Sequence, residues 1–152
     1  MHLPRFVSCH GRRGLQKGVA AVEFAIIAVL FFTLLLGIME FGRWLFLLNG
    51  ANEATRLGAR LGVVCSIETA GDFRIRARMS EMTGGGIPAA NMVLQYAPTG
   101  CNIDTCTTVT ARIVGAQFEP VSPFFGLTVP IPQFPTSLPR EYMNSAGNPV
   151  CP

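Results

Sequence analysis

The chain has 152 residues, of which 49% are hydrophobic and only 14% charged. An ordinary soluble domain carries about 25% charged residues, so this composition excludes a water-exposed fold along the whole length. The formal charge of +3 is uneven: residues 1–18 hold Arg5, Arg12, Arg13 and Lys17 with no acid, which leaves the remainder at −1. A nearly neutral body lacks the basic footprint that nucleic-acid binding needs, and no nucleic-acid partner is expected.

Val19 to Met39 is a run of 21 residues whose one charge is Glu23. As a helix it rises ~31 Å, against about 30 Å for the hydrocarbon core of a bilayer. Hydrocarbon offers no partner to an unpaired backbone group, so a spanning segment of this kind must be helical. The Lys/Arg excess before it places the N-terminus in the cytoplasm and the remainder across the membrane. A cleaved secretory signal would have an apolar run of about 7–15 residues and a small-x-small site. This run is longer and exits into Gly-Ile-Met-Glu-Phe-Gly-Arg. Cys9 follows Phe6-Val7-Ser8 with no apolar stretch before it, so lipidation there is dismissed. A carboxylate at the centre of a spanning helix costs about 2.5–3.5 kcal/mol, and less near an end. Glu23 therefore either reaches the interface or has a partner.

The helix is expected to continue to Val63. No proline interrupts residues 41–63, and Trp44, Leu45, Leu48, Ala51, Leu57 and Leu61 recur at three- and four-residue steps. Glu53, Arg56 and Arg60 are spaced for ion-pair support. Gly50, Ala51, Ala54, Gly58 and Gly62 either weaken the helix locally or form a small-residue face for close packing. Trp44 fits an interfacial anchor or core packing. Residues 72–82 alternate apolar and Arg in strand fashion, yet Asp72 is a possible N-cap and Gly84-Gly85-Gly86 a helix stop. The run Arg74, Arg76, Arg78 reads as a solvated face. Asn91–Ala97 and Thr107–Phe118 are strand candidates, the second with Val109, Ala111 and Ile113 on one face. The prolines at 120, 123, 130, 132, 135 and 139 permit only edge strands or extended chain there. Phe124, Phe125 and Phe134 are expected to cap a small core. The expected fold class is α+β: leader 1–18, transmembrane and extended helix 19–63, and a small domain 64–152.

Without the leader four cysteines remain: Cys65, Cys101, Cys106 and Cys151. An even count outside the cytoplasm argues for disulfides. Of the three connectivities, Cys101–Cys106 as a short loop and Cys65–Cys151 as a tie on the tail are favoured. Zinc is disfavoured because no second Cys pair or His follows Cys101-x4-Cys106. Both histidines, His2 and His10, lie in the leader. The body therefore has no His-dependent triad or His-based metal hydrolysis. No phosphate-binding Gly loop is present either. No enzyme, cofactor or metal is expected.

Gly18-Val19-Ala20-Ala21-Val22-Glu23-Phe24 resembles the type IV prepilin-like signal: Gly after a basic leader, four apolar residues, Glu, then an aromatic. The resemblance implies that a prepilin peptidase cuts between Gly18 and Val19 and leaves the helix in place. Glu23 would then pair with the Val19 ammonium of a neighbouring subunit, an ion pair that low dielectric strengthens and that sets axial register. Further on, Ala21–Ala25, Leu34–Arg43 and Asn52–Arg60 look like the TadE-like family, as does Arg140-Glu141. Such membership implies a minor pseudopilin of the tight-adherence (Tad/Flp) type IVb pilus, with a small α+β pseudopilin-like domain. Its place would be the inner membrane, single-pass with the C-terminus periplasmic, and its role pilus assembly for cell adhesion. Its partners would be the prepilin peptidase and other pilins and pseudopilins of the Tad system. The family pattern also favours a short helix at 72–82. Thr55-Arg56-Leu57 departs from the family's usual Ala-Arg-Glu, and Tyr142–Pro152 extends past the Arg-Glu, which leaves TadE-, TadF- and TadG-like subfamilies open. The alternative is a membrane-anchored periplasmic binding module with an uncleaved signal anchor.

Overall fold

In the computed structural model the elements run α1 (Gln16–Val64), α2 (Thr69–Met82), a 3-10 turn (Ala89–Asn91), β1 (Met92–Ala97), β2 (Thr108–Ile113), β3 (Gln117–Phe118), β4 (Val129–Pro130) and β5 (Thr136–Pro139). The residues described are 16–67, 69–121, 126, 128–149 and 151. The leader residues Arg5, Cys9, Arg12, Arg13 and both histidines, with Phe124 and Phe125, lie outside them. The class is α+β: a long apolar helix, then a small domain of one helix and antiparallel strands. The chain divides into two compact units, Met1–Ile38 and Met39–Pro152.

The described part of the first unit is α1 alone. Leu, Ala and Phe dominate it and no proline breaks it, so the backbone bonds close within the helix. Its apolar residues are exposed all round: none of the most apolar 18-residue window, of mean hydropathy 2.7, is buried. The Thr33 hydroxyl donates to the Val29 carbonyl at 2.7 Å, which hides that polar group in the helix ladder. By length and composition this helix can cross a membrane.

In the second unit the C-terminal half of α1 packs with α2 and a three-stranded antiparallel sheet of order β1-β2-β5. Leu94 stands opposite Ala111, and Ala111 opposite Thr136. Met92 and Leu94 of β1 and Val109, Ala111 and Ile113 of β2 point into the core, the alternation that a half-buried strand requires. The expected strand over 107–118 is two strands. Gly115, at φ +68°, turns the chain after Ile113 and sends Gln117 and Phe118 to pair with Pro130 and Val129. The prolines of β4 and β5 sit at sheet edges, where a missing N–H leaves no ladder bond open.

Residues 72–82 are helical, and the helix begins three residues earlier than Asp72. Asp72 is therefore a first-turn residue rather than the N-cap, bonded to Arg76 at 2.5 Å one turn on. Ile75 and Met79, four apart, are fully buried; this helical spacing, not the period-two pattern, is what the core reads. Arg76 is accordingly half-buried and paired, while Arg74 and Arg78 are exposed. The helix closes in a Schellman motif: Gly85 N–H donates to the Ser80 carbonyl and Gly84 N–H to that of Glu81. Gly84 takes the φ of +63° that this motif asks of its first residue past the helix.

The buried face of α1 is Leu47, Ala51, Ala54, Thr55, Ala59, Leu61 and Val63. Leu45, expected on it, is exposed; Trp44 is half-buried against the core. The small residues make a packing face. A methyl on Gly50 would stand 2.9 Å from the Met82 carbonyl oxygen, and one on Gly62 2.8 Å from Val109 Cγ1. A methyl on Gly58 would overlap the Met79 sulfur.

After β5 the chain returns across the end of α1. Glu141 and Met143 N–H groups donate to the Val63 carbonyl, and Asn144 N–H to that of Val64. These bonds satisfy carbonyls that the last helical turn leaves open. Ser66 and Ser145 exchange backbone-to-hydroxyl bonds, each 2.9 Å. The Met143 side chain is fully buried beside Val63, Cys106 and Val109.

Candidate functional site

Gly18, Val19, Glu23 and Phe24 all lie on the exposed helix of the first unit. Gly18 and Val19 sit in its first turn, which carries no acidic residue to complement the helix dipole. Gly18, Val19, Val22, Glu23 and Ile26 line one shallow groove along the helix. Val19 and Glu23 are four apart and so neighbours on that face, while Phe24, 73% exposed, does not line the groove. Among the described side chains Glu23 has no ion-pair partner. The groove thus offers one carboxylate between apolar walls, an arrangement suited to a single cation.

The second unit shows what Glu40 and Arg43 do. Glu40 accepts a bond from the Arg43 guanidinium at 2.8 Å and from the Val121 backbone N–H at 3.0 Å. The guanidinium carbon lies 5.5 Å from the centre of the Phe118 ring, within cation–π range. Thr55 is fully buried; its hydroxyl bonds the Asn52 carbonyl and the Thr136 hydroxyl of β5. Sequence reasoning gave Glu40 and Thr55 no role, because their partners lie about 80 residues away, 81 in each case. The i,i+3 spacing of Glu40 and Arg43 was the one local signal.

The structure joins Cys65 to Cys151 and Cys101 to Cys106. The first bond pins the returning tail to the end of α1. The second closes a loop whose Asn102 side chain accepts from the Asp104 and Thr105 N–H groups. Arg140 supports the same loop by donating to the Ile103 carbonyl at 2.7 Å. Among the described residues no group of three or more His, Cys, Asp or Glu is placed to hold a metal ion.

Among the described residues, Tyr96 of β1 has its ionisation displaced. Burial first, then the Asp72 carboxylate, push its phenol from 10 up to about 12, with Arg76 opposing. The folded protein then holds this proton more tightly than the unfolded chain does. Stability contributed by Tyr96 is present in full below the unfolded pKa and falls as pH rises from about 10 to 12. In a Tyr142→Phe variant, which leaves Tyr96 alone, tyrosinate absorbance is expected to rise with a midpoint near 12. A midpoint near 10 in folded protein would contradict this.

Residues 18–60 match the family model described as TadE-like protein. No curated protein and no solved structure matches the chain. The matched segment starts at Gly18 and takes in Glu23 and Phe24 on the exposed helix, Glu40 and Arg43 at the base of the second unit, and the packing glycines up to Gly58. Over residues 18–60 this chain is thus similar to TadE-like proteins.

Proposed function

We propose that the protein is a minor pseudopilin of a Tad/Flp-type pilus, processed by a prepilin peptidase between Gly18 and Val19. Residues 19–39 cross the inner membrane with the leader cytoplasmic and the domain periplasmic. The protein acts by assembly with other pilins and pseudopilins of that system and has no enzymatic role. One observation carries the reading: within the segment that matches the TadE-like model, the exposed apolar run of residues 19–39 holds its only carboxylate, Glu23, five residues after Gly18. An apolar surface of that extent is covered either by lipid or by other helices. Cleavage would place a new ammonium at Val19, one helical turn from Glu23 in the same groove. Pairing that ammonium with Glu23 of an adjacent subunit relieves both charges and fixes how far one helix slides on the next.

Coexpression with a Tad prepilin peptidase followed by intact-mass measurement of the membrane-extracted protein tests the reading. Loss of residues 1–18 is expected. A full-length mass in the presence of active peptidase favours the periplasmic binding module with an uncleaved anchor. Glu23→Gln is expected to insert normally yet lower co-purification with partner pilins by about tenfold or more, the scale of breaking a poorly solvated ion pair. Unchanged co-purification would remove the register role.

A further inference from the structure

A second site lies in the folded unit. A cleft of about 670 Å³ opens between Arg43, Phe46 and Leu47 of α1, the Gly84–Gly86 turn, Phe118 of β3 and Glu119 just after it. Its walls are mixed. Phe46, Leu47 and Phe118 are apolar; Arg43 supplies a cation and Glu119 an anion. The Arg43 guanidinium is held by Glu40 and by the Phe118 ring, yet its side chain stays 48% exposed. Arg43 thus lines the cleft with about half of its side chain open to water, and its two partners leave donors of its five-donor fork to spare. Glu119 is exposed and has no ion-pair partner among the described residues. Gln117 adds an amide beside it.

We infer that this cleft binds the headgroup of a zwitterionic phospholipid of the ethanolamine class. The phosphate takes the open side of the Arg43 fork, which suits phosphate oxygens in pairs. The ammonium donates to the Glu119 carboxylate and the Gln117 amide oxygen. The glyceryl end lies along Phe46, a residue 64% exposed. The inference rests on the membrane reading above. Arg43 follows Met39 by four residues, about 6 Å of helical rise, which falls within the headgroup layer some 5–7 Å deep outside the hydrocarbon. Charge pattern selects the class. A choline headgroup has no N–H to give Glu119, and a glycerol headgroup has no cation for it.

The full chain, purified in detergent and exposed to equimolar phosphatidylethanolamine, phosphatidylcholine and phosphatidylglycerol, is read by native mass spectrometry. Preferential retention of phosphatidylethanolamine is expected. Glu119→Gln should lower that retention by about tenfold, the loss of one charge-assisted hydrogen bond, and bring it level with phosphatidylcholine. Arg43→Gln should lower retention of all three lipids, and Arg43→Lys should restore part of it. Glu53→Gln, on the same helix and outside the cleft, should change nothing. Equal retention of the three lipids by the unaltered chain, or a preference that survives Glu119→Gln, would overturn the site. Alkaline extraction separates the two readings. A chain that washes off the membrane sinks the membrane reading and the site with it, whereas one that inserts but shows no lipid preference sinks the site alone.

Discussion

Replacing Cys65 and Cys151 together with serine is expected to destabilise the folded unit by about 4–5 kcal/mol in the chain-entropy model. The bond joins residues 86 apart, so its loss frees a long loop in the unfolded chain. For a unit of this size that corresponds to a fall in Tm of roughly 20 °C or more. Replacing Cys101 and Cys106, only 5 apart, is expected to cost about 2 kcal/mol on the same model. Thermal unfolding of the full chain in detergent, followed by near-ultraviolet circular dichroism, checks both. A fall of only a few degrees for the first pair would mean that the strap does without it. The backbone bonds to Val63 and Val64 and the buried Met143 would then be holding the strap alone.

The second large effect is steric. Gly50→Leu is expected to cost more than about 3 kcal/mol, beyond the usual range for overpacking, because backbone and not a side-chain end meets the new group. The Met82 oxygen stands 2.9 Å and the Thr83 Cα 3.3 Å from a Cβ at Gly50. The turn at Gly84 and Gly85 is fixed by its Schellman bonds, so α2 cannot yield without losing them. Gly50→Ala should be destabilising too, though its better helix propensity returns about 1 kcal/mol. Gly42→Ala is the counterpart: nothing lies within 4 Å of a Cβ there, so the same propensity gain of up to about 1 kcal/mol should appear as stabilisation. Opposite signs for the two alanine variants are the expected signature. Equal signs would mean that α1 and α2 are not packed at this distance.

These two glycines show where sequence reading ends. In the sequence Gly42 and Gly50 both weaken the helix, and Gly50 also falls on the candidate small-residue face, with no sign of what would pack there. Only the segment that arrives beside them, 82–83 in one case and none in the other, makes one a contact and the other a defect. The apolar run of α1 was legible because length and composition alone set it apart, and β2 because Val109, Ala111 and Ile113 alternate. The start of α2 at Thr69 was not, since Asp72 offered a cap signal that the structure uses as an ion pair with Arg76. Thr55 was flagged only as a departure from the family pattern, and its hydroxyl turns out to meet Thr136 across the core. Gly18, Val19, Glu23 and Phe24 were found by motif. Nothing in the periodicity of an all-apolar helix distinguishes them.

The returning strap has a consequence for the order of events during biosynthesis. The carbonyls of Val63 and Val64 are finished off by N–H groups of residues 141–144, which leave the ribosome about 80 residues later. Contacts this distant form late and slow a domain's closure. Through most of its translation the chain therefore has α1 already able to seat in the bilayer while its outer end stays uncapped and Cys65 waits as a free thiol. On the membrane reading proposed above, closure follows translocation, and an oxidant acting before residue 151 arrives would find Cys101 and Cys106 as the available partners of Cys65.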